Sequence, residues 1–202
     1  MKNKKMKSIT AAVCAGIFSL GLVSTAQATL EVRLGGLAVY DTDLNITWLA
    51  NANAGAGSSF DDGLNNSDGL MTWASANAWA ASLTVGGVSG WRLPTTLQPD
   101  PTCSDQSGGD STVFGCTGSE MGHLFYTELG GVAPFSILSS VDPDLALFTN
   151  IKPEMYWSGT EYARNKLDRA WVFTFFGGVQ FENAKFVDLY AWAVHDGDIS
   201  AS

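Results

Sequence analysis

Histidine is nearly absent from this chain, with two in 202 residues, and charged side chains make up only 15% of it, well under the usual quarter. His123 and His195 stand far apart in sequence, so both read as structural or surface residues rather than as a triad or a metal pair. Six prolines are too few for a collagen or polyproline chain. The low charge beside 46% hydrophobic residues excludes disorder and coiled coil as overall descriptions. Motifs that carry chemistry are missing too: there is no G-x-S-x-G elbow, Walker loop, dinucleotide fingerprint or H-E-x-x-H helix. Nucleophilic and nucleotide-dependent reactions therefore have no positive signal. What is abundant is glycine, 22 residues, and tryptophan, seven. Together they point to a loop-rich fold containing β-structure, and the length suits one domain.

The start of the chain has a separate purpose. Lys2, Lys4, Lys5 and Lys7 precede a largely apolar run from Ile9 to Val23 and then Ala26-Gln27-Ala28, the three-part pattern of a secretory signal peptide. The run is shorter than the roughly 18 to 20 residues a membrane span needs. Residues 1–28 are thus expected to be removed, with Cys14, leaving one domain over 29–202 in the periplasm or the medium. No later span follows, so stable membrane insertion of the mature chain is not expected.

Removal of that segment takes four lysines and no acids, leaving seven basic against twenty acidic residues, a net charge of −13. A surface of this sign repels nucleic acid, sulfated polymers and anionic lipid heads. Two cysteines also remain, Cys103 and Cys116, and in an exported chain a disulfide closing the polar loop between them is the plain reading.

Local patterns give a coarse layout. Glu31 to Leu49 reads as strand, turn, strand around Asp41-Thr-Asp-Leu-Asn45, and residues 50–70 as a surface loop. A helix over 72–83 is capped by Thr72 and buries Ala76, Trp79, Ala80 and Leu83; a second, over 119–129, starts at Ser119 and buries Met121, Leu124, Phe125 and Leu129. Trp91 to Pro94 and Met155 to Ser158 read as short strands. Trp171 to Glu182 reads as a hairpin turning at Gly177-Gly178, with Phe176 opposite Val179 and Thr174 opposite Phe181, its second strand on a rim, and Phe186 to Val194 as a last strand.

Asp41, Asp43 and Asn45 follow the D-x-D-x-N opening of a calcium loop, but Ile46 and Ala52 stand where that loop needs glycine and glutamate. On so partial a match they read first as solvated turn acids, and these three are the candidate metal residues. No cofactor is expected apart from calcium, which their oxygens suit. Gln98-Pro99-Asp100 matches a triplet of calcium-dependent sugar binders, and without a downstream partner motif it reads as chance.

Tyr40 to Leu49, Met71-Thr-Trp-Ala74, Trp91-Arg-Leu-Pro-Thr95, Ser119 to Leu124, Tyr156-Trp-Ser158 and Tyr190-Ala-Trp-Ala-Val194, taken in that order, resemble the Lcl C-terminal-domain family of bacterial exported proteins. The likeness spans roughly residues 38–198. It implies a compact α+β fold, C-type-lectin-like and similar to formylglycine-generating enzymes, with two helices packed on twisted antiparallel sheets. Ala191 to His195 replaces a cysteine-containing strand found in many relatives, and a sorting tail that often follows such endings is not present before Ser202. Trp91, Trp157 and Trp192 are expected to fill the core, and Cys103 and Cys116 do not match the reactive cysteines of the enzyme fold.

The expected function is a secreted, non-catalytic recognition module for an extracellular glycan or protein. The alternative is a secreted hydrolase acting on glycans through carboxylates that no motif identifies, whose mark would be two acids about 5–9 Å apart in a cleft. The expected contact residues are Glu161, Glu182 and Asn183, in a stretch that combines clustered charge, amide groups and aromatic rings.

Overall fold

The computed structural model describes residues 30–63, 65–106 and 112–199. The expected leader, with Cys14 and the expected cleavage site at Ala26-Gln27-Ala28, lies outside them. Two sheets and two helices make an α+β, loop-rich fold. The first sheet joins β1 (Leu30–Arg33), β2 (Ala38–Asp41), β3 (Ile46–Leu49) and β9 (Val194–Asp196) in the order β1-β2-β3-β9, all antiparallel. The second has the order β4-β8-β5-β6-β7, built from β4 (Leu70–Met71), β5 (Met155–Glu161), β6 (Arg169–Thr174), β7 (Val179–Ala184) and β8 (Leu189–Tyr190). This sheet is mixed rather than wholly antiparallel, because β5 and β8 run parallel at Tyr156 and Tyr190. No helix among the described residues is long and apolar enough to cross a membrane.

The expected last strand is in fact two. β8 belongs to the second sheet and β9 to the first, and Ala191-Trp192-Ala193 carries the chain between them, fully buried. Trp192 sits where the sheets meet: its ring packs 5.3 Å from Trp48 of β3 and 5.8 Å from Tyr156 of β5. A continuous apolar stretch says that a segment is buried, but not which sheet it pairs with. Trp91, Trp157 and Trp192 are all core residues, as are Trp48, Trp79 and Trp171.

Helix α1 (Trp73–Ser82) is capped as its sequence suggests, the Thr72 hydroxyl accepting from the Ser75 N–H at 3.3 Å. Ala76, Trp79 and Ala80 face inward. Helix α2 (Glu120–His123) is shorter than the sequence suggests and passes into a π-helical turn, Leu124–Glu128, closed by the Leu129 N–H donating to the Leu124 carbonyl at 3.0 Å. Ser119 does not cap it by a side-chain hydrogen bond; its hydroxyl instead donates to Asp100 and accepts the Leu97 N–H. The start of α2 is pinned by Arg92, whose guanidinium pairs with Glu120 at 2.7 Å and with Asp196 of β9 at 2.6 Å, while Glu120 also accepts the Thr95 N–H. The Trp91 to Thr95 segment makes only an isolated bridge to β9, between Arg92 and Val194. Gly122 lies so close to the Cys116 carbonyl that a methyl group built on it would collide with that oxygen. Gly122→Ala should therefore destabilise by about 1–3 kcal/mol, read as a lower urea midpoint with an unchanged slope.

The β6–β7 hairpin keeps its expected rim position but shifts register by two residues. Thr174 pairs with Val179 and Val172 with Phe181, and Phe175 to Gly178 form a four-residue loop closed by the Gly178 N–H on the Thr174 carbonyl. A two-residue turn needs positive φ at both central positions (type I′) or at the first (type II′); Gly178 has it and Gly177 does not. That turn occurs instead at Gly86-Gly87, φ 57° and 85°, between reciprocally bonded Val85 and Val88. The shift leaves Phe175 in the loop yet fully buried, while Phe176 projects outward.

Candidate functional site

The two long edges of the second sheet differ. At the β7 edge, the three residues singled out from the sequence are each engaged with a different neighbour rather than with one another. Glu161 accepts from Lys185 Nζ at 2.6 Å, Glu182 from Arg169 at 2.7 Å, and the Asn183 amide oxygen from the Ala184 N–H at 2.8 Å. Lys185 also lies 4.1 Å over the Trp73 ring. Gln180 is fully buried, and its backbone exchanges two hydrogen bonds with Val113, so the C-terminal part of the disulfide-closed loop covers part of this edge. The disulfide joins Cys103 to Cys116. Gln98 and Asp100 are structural: the Gln98 oxygen accepts from Trp171 Nε1 and the Ala163 N–H, and Asp100 is buried against Thr102 and Ser119.

At the other edge, β4 and β8 frame an open cleft of about 330 Å³ lined by Leu70, Glu154, Met155, Asp188, Leu189 and Tyr190. The parallel β5–β8 pairing stacks Tyr190 beside Tyr156, with ring centroids 5.5 Å apart, which fixes the ring that forms the wall. Among the described residues, no basic side chain lines the cleft. Burial raises the Asp188 carboxyl above its ordinary value, and the Asp62 and Asp68 carboxylates push it the same way. Burial also raises the Tyr190 phenol, with Asp68, Glu154 and Asp61 adding to the effect. Two acids and a tyrosine ring lining one cleft combine an apolar stacking surface with strong acceptors for O–H donors.

The profile of the Lcl C-terminal domain matches residues 37–195. The chain belongs to the Lcl C-terminal domain family. That match covers every element from β2 to the middle of β9 and leaves β1 outside it. No curated protein and no solved structure matches the chain significantly. The motifs that carry the likeness, Trp-Arg-Leu-Pro-Thr and Ser-Glu-Met, serve the fold here through the Arg92, Glu120 and Asp196 pairing.

The Asp41, Asp43 and Asn45 segment divides between inside and outside. Asp43 and Asn45 are exposed, Asn45 accepting from the Tyr40 hydroxyl at 2.8 Å. Asp41 is fully buried, and its Oδ1 accepts the Asp43 and Leu44 N–H groups. It faces His123 and Glu128, whose His123 Nε2 to Glu128 Oε1 distance is 3.0 Å. Sequence reading misses this meeting, because residues five apart on an α-helix point about 140° away from each other. The π turn is what brings His123 and Glu128 to one side.

Proposed function

We propose that the domain is an exported, non-catalytic recognition module and that the β4–β8 cleft takes a neutral glycan. The observation that carries this reading is the pairing of the Tyr190 wall with Glu154 and Asp188 in one open concavity. The apolar C–H face of a sugar ring stacks on an aromatic side chain. Its hydroxyls donate to the carboxylates as charge-assisted bonds. With twenty acids against seven bases beyond residue 28, the surface disfavours sulfated polymers and nucleic acid, which narrows the partner to a neutral chain. The leader pattern supports export.

The test uses residues 29–202 on an array of neutral glycans with and without calcium, followed by titration of the strongest ligand. Tyr190→Ala should weaken binding at least tenfold, about 1.4 kcal/mol, with little change in melting temperature. Undiminished affinity in that variant rejects the cleft. If the triple variant Glu161→Ala, Glu182→Ala, Asn183→Ala loses binding instead, the contact face is the β7 rim. Steady release of cleaved product makes the protein a glycan hydrolase, and binding only to protein ligands rejects the glycan.

A further inference from the structure

Asp41, His123 and Glu128 come from two distant stretches of chain, and each offers a ligand atom within 4.8 Å of the others. Asp41 is 0% and Glu128 4% exposed. Burying two carboxylates and one imidazole is costly unless every group is compensated. The compensation seen is incomplete: His123 serves Glu128 and the loop N–H groups serve Asp41 Oδ1, while Asp41 Oδ2 is buried with no hydrogen-bond partner. The Trp48 indole, on the adjacent strand, turns toward Asp41 and favours its carboxylate, but its N–H stops short of a hydrogen bond and leaves the compensation partial.

We propose that Asp41, His123 and Glu128 form a binding site for a divalent transition-metal ion, with zinc as its best fit. Two carboxylates with a neutral imidazole carry a charge of −2, which one divalent cation cancels. One nitrogen and two carboxylate oxygens are a ligand set zinc accepts, at about 2.0–2.2 Å from each ligand. Three protein ligands leave a fourth position for water. Calcium fits less well, since it seeks six to eight oxygens and an imidazole is the wrong partner. The π turn supplies an independent argument. A π-helical turn is a rare departure from α-helical hydrogen bonding and is frequent at functional sites, and here it aligns the i and i+5 ligands with a buried acid from the facing sheet. Metal binding would bolt α2 to β2, two elements otherwise distant in sequence.

Residues 29–202, stripped with a chelator and dialysed, should bind zinc at one per chain by calorimetric titration and melt several degrees higher in its presence, by mass action on the folded state. Cobalt(II) at the same site should show the intense visible absorption of low coordination. Glu128→Gln keeps the side-chain shape, and His123→Ala removes the nitrogen. Both should fold in the absence of metal by circular dichroism and lose the zinc-induced shift. His195→Ala should keep it. The proposal is overturned if no zinc binds at 1:1, if calcium gives an equal shift, or if His195→Ala rather than the cluster variants abolishes the effect. Should both cluster variants fail to fold, one-to-one zinc binding by the parent chain with the cobalt spectrum still decides for the site, and its lack against it.

Discussion

Trp192→Ala should lower stability by about 3–5 kcal/mol, the range for emptying a buried tryptophan, and lower the melting temperature by roughly 6–20 °C for a domain of this size. Trp192 is fully buried, and four aromatic neighbours hold it: Trp48 and Phe148 at 5.3 Å, Phe175 at 5.5 Å and Tyr156 at 5.8 Å. Its indole N–H donates to the Leu49 carbonyl at 2.7 Å, so truncation also leaves a buried acceptor unserved. The neighbours come from both sheets, and neither sheet can move to fill the space without losing its contact with the other. Trp192→Phe should recover part of the packing but not the hydrogen bond, and fall between the two. Chemical denaturation of the three proteins checks the order. A Trp192→Ala variant within 1 kcal/mol of the parent would show that the sheets pack independently.

Opening the disulfide comes next in size. A chain-entropy argument assigns about 3 kcal/mol to a closed loop of this length, and Cys103 and Cys116 lie 13 positions apart, both buried. The cost reaches beyond the loop. Val113 reciprocally bonds Gln180 on β7, and the Cys116 carbonyl abuts Gly122 at the start of α2. Cys103→Ala with Cys116→Ala should therefore lower the melting temperature by roughly 6–12 °C and speed amide exchange in β7 more than in β5. Reduction of the parent protein should reproduce the shift. Non-reducing peptide mapping that finds both thiols free under oxidising conditions would falsify the expectation at its root.

The parts of the fold that were legible in the sequence are those fixed by neighbours. Thr72 caps α1 because a hydroxyl three residues before the Ser75 N–H needs no distant partner. The tryptophans read as core because their size leaves few other places for them. Register was less legible. Gly177-Gly178 suggests a tight turn, but burial of Phe175 lengthens the loop and moves β7 by two residues, a tertiary gain that outweighs local turn preference. Phe186 to Val194 shows the same limit at larger scale, since nothing local says that Leu189 and Val194 belong to different sheets. Asp41 reads as a solvated turn acid from its D-x-D-x-N setting; its burial depends on α2, some eighty positions away in sequence. The cleft was invisible for a related reason. Glu154 and Asp188 share a wall only because β5 and β8 pair in parallel, and long-range parallel pairing leaves no mark on either strand.

The placement of β9 also orders events in time. β3 pairs on one side with β2, a neighbour in sequence, and on the other with residues 194–196. Until those residues have been synthesised, Trp48 lies beside an open strand edge, Arg92 has neither the Val194 bridge nor the Asp196 carboxylate, and the groove meant for Trp192 is exposed. Loop closure across nearly 150 positions is slow, and it cannot begin early. The joining of the two sheets through β9 thus waits for residues 194–196 and follows the local pairings of β1 with β2 and β2 with β3.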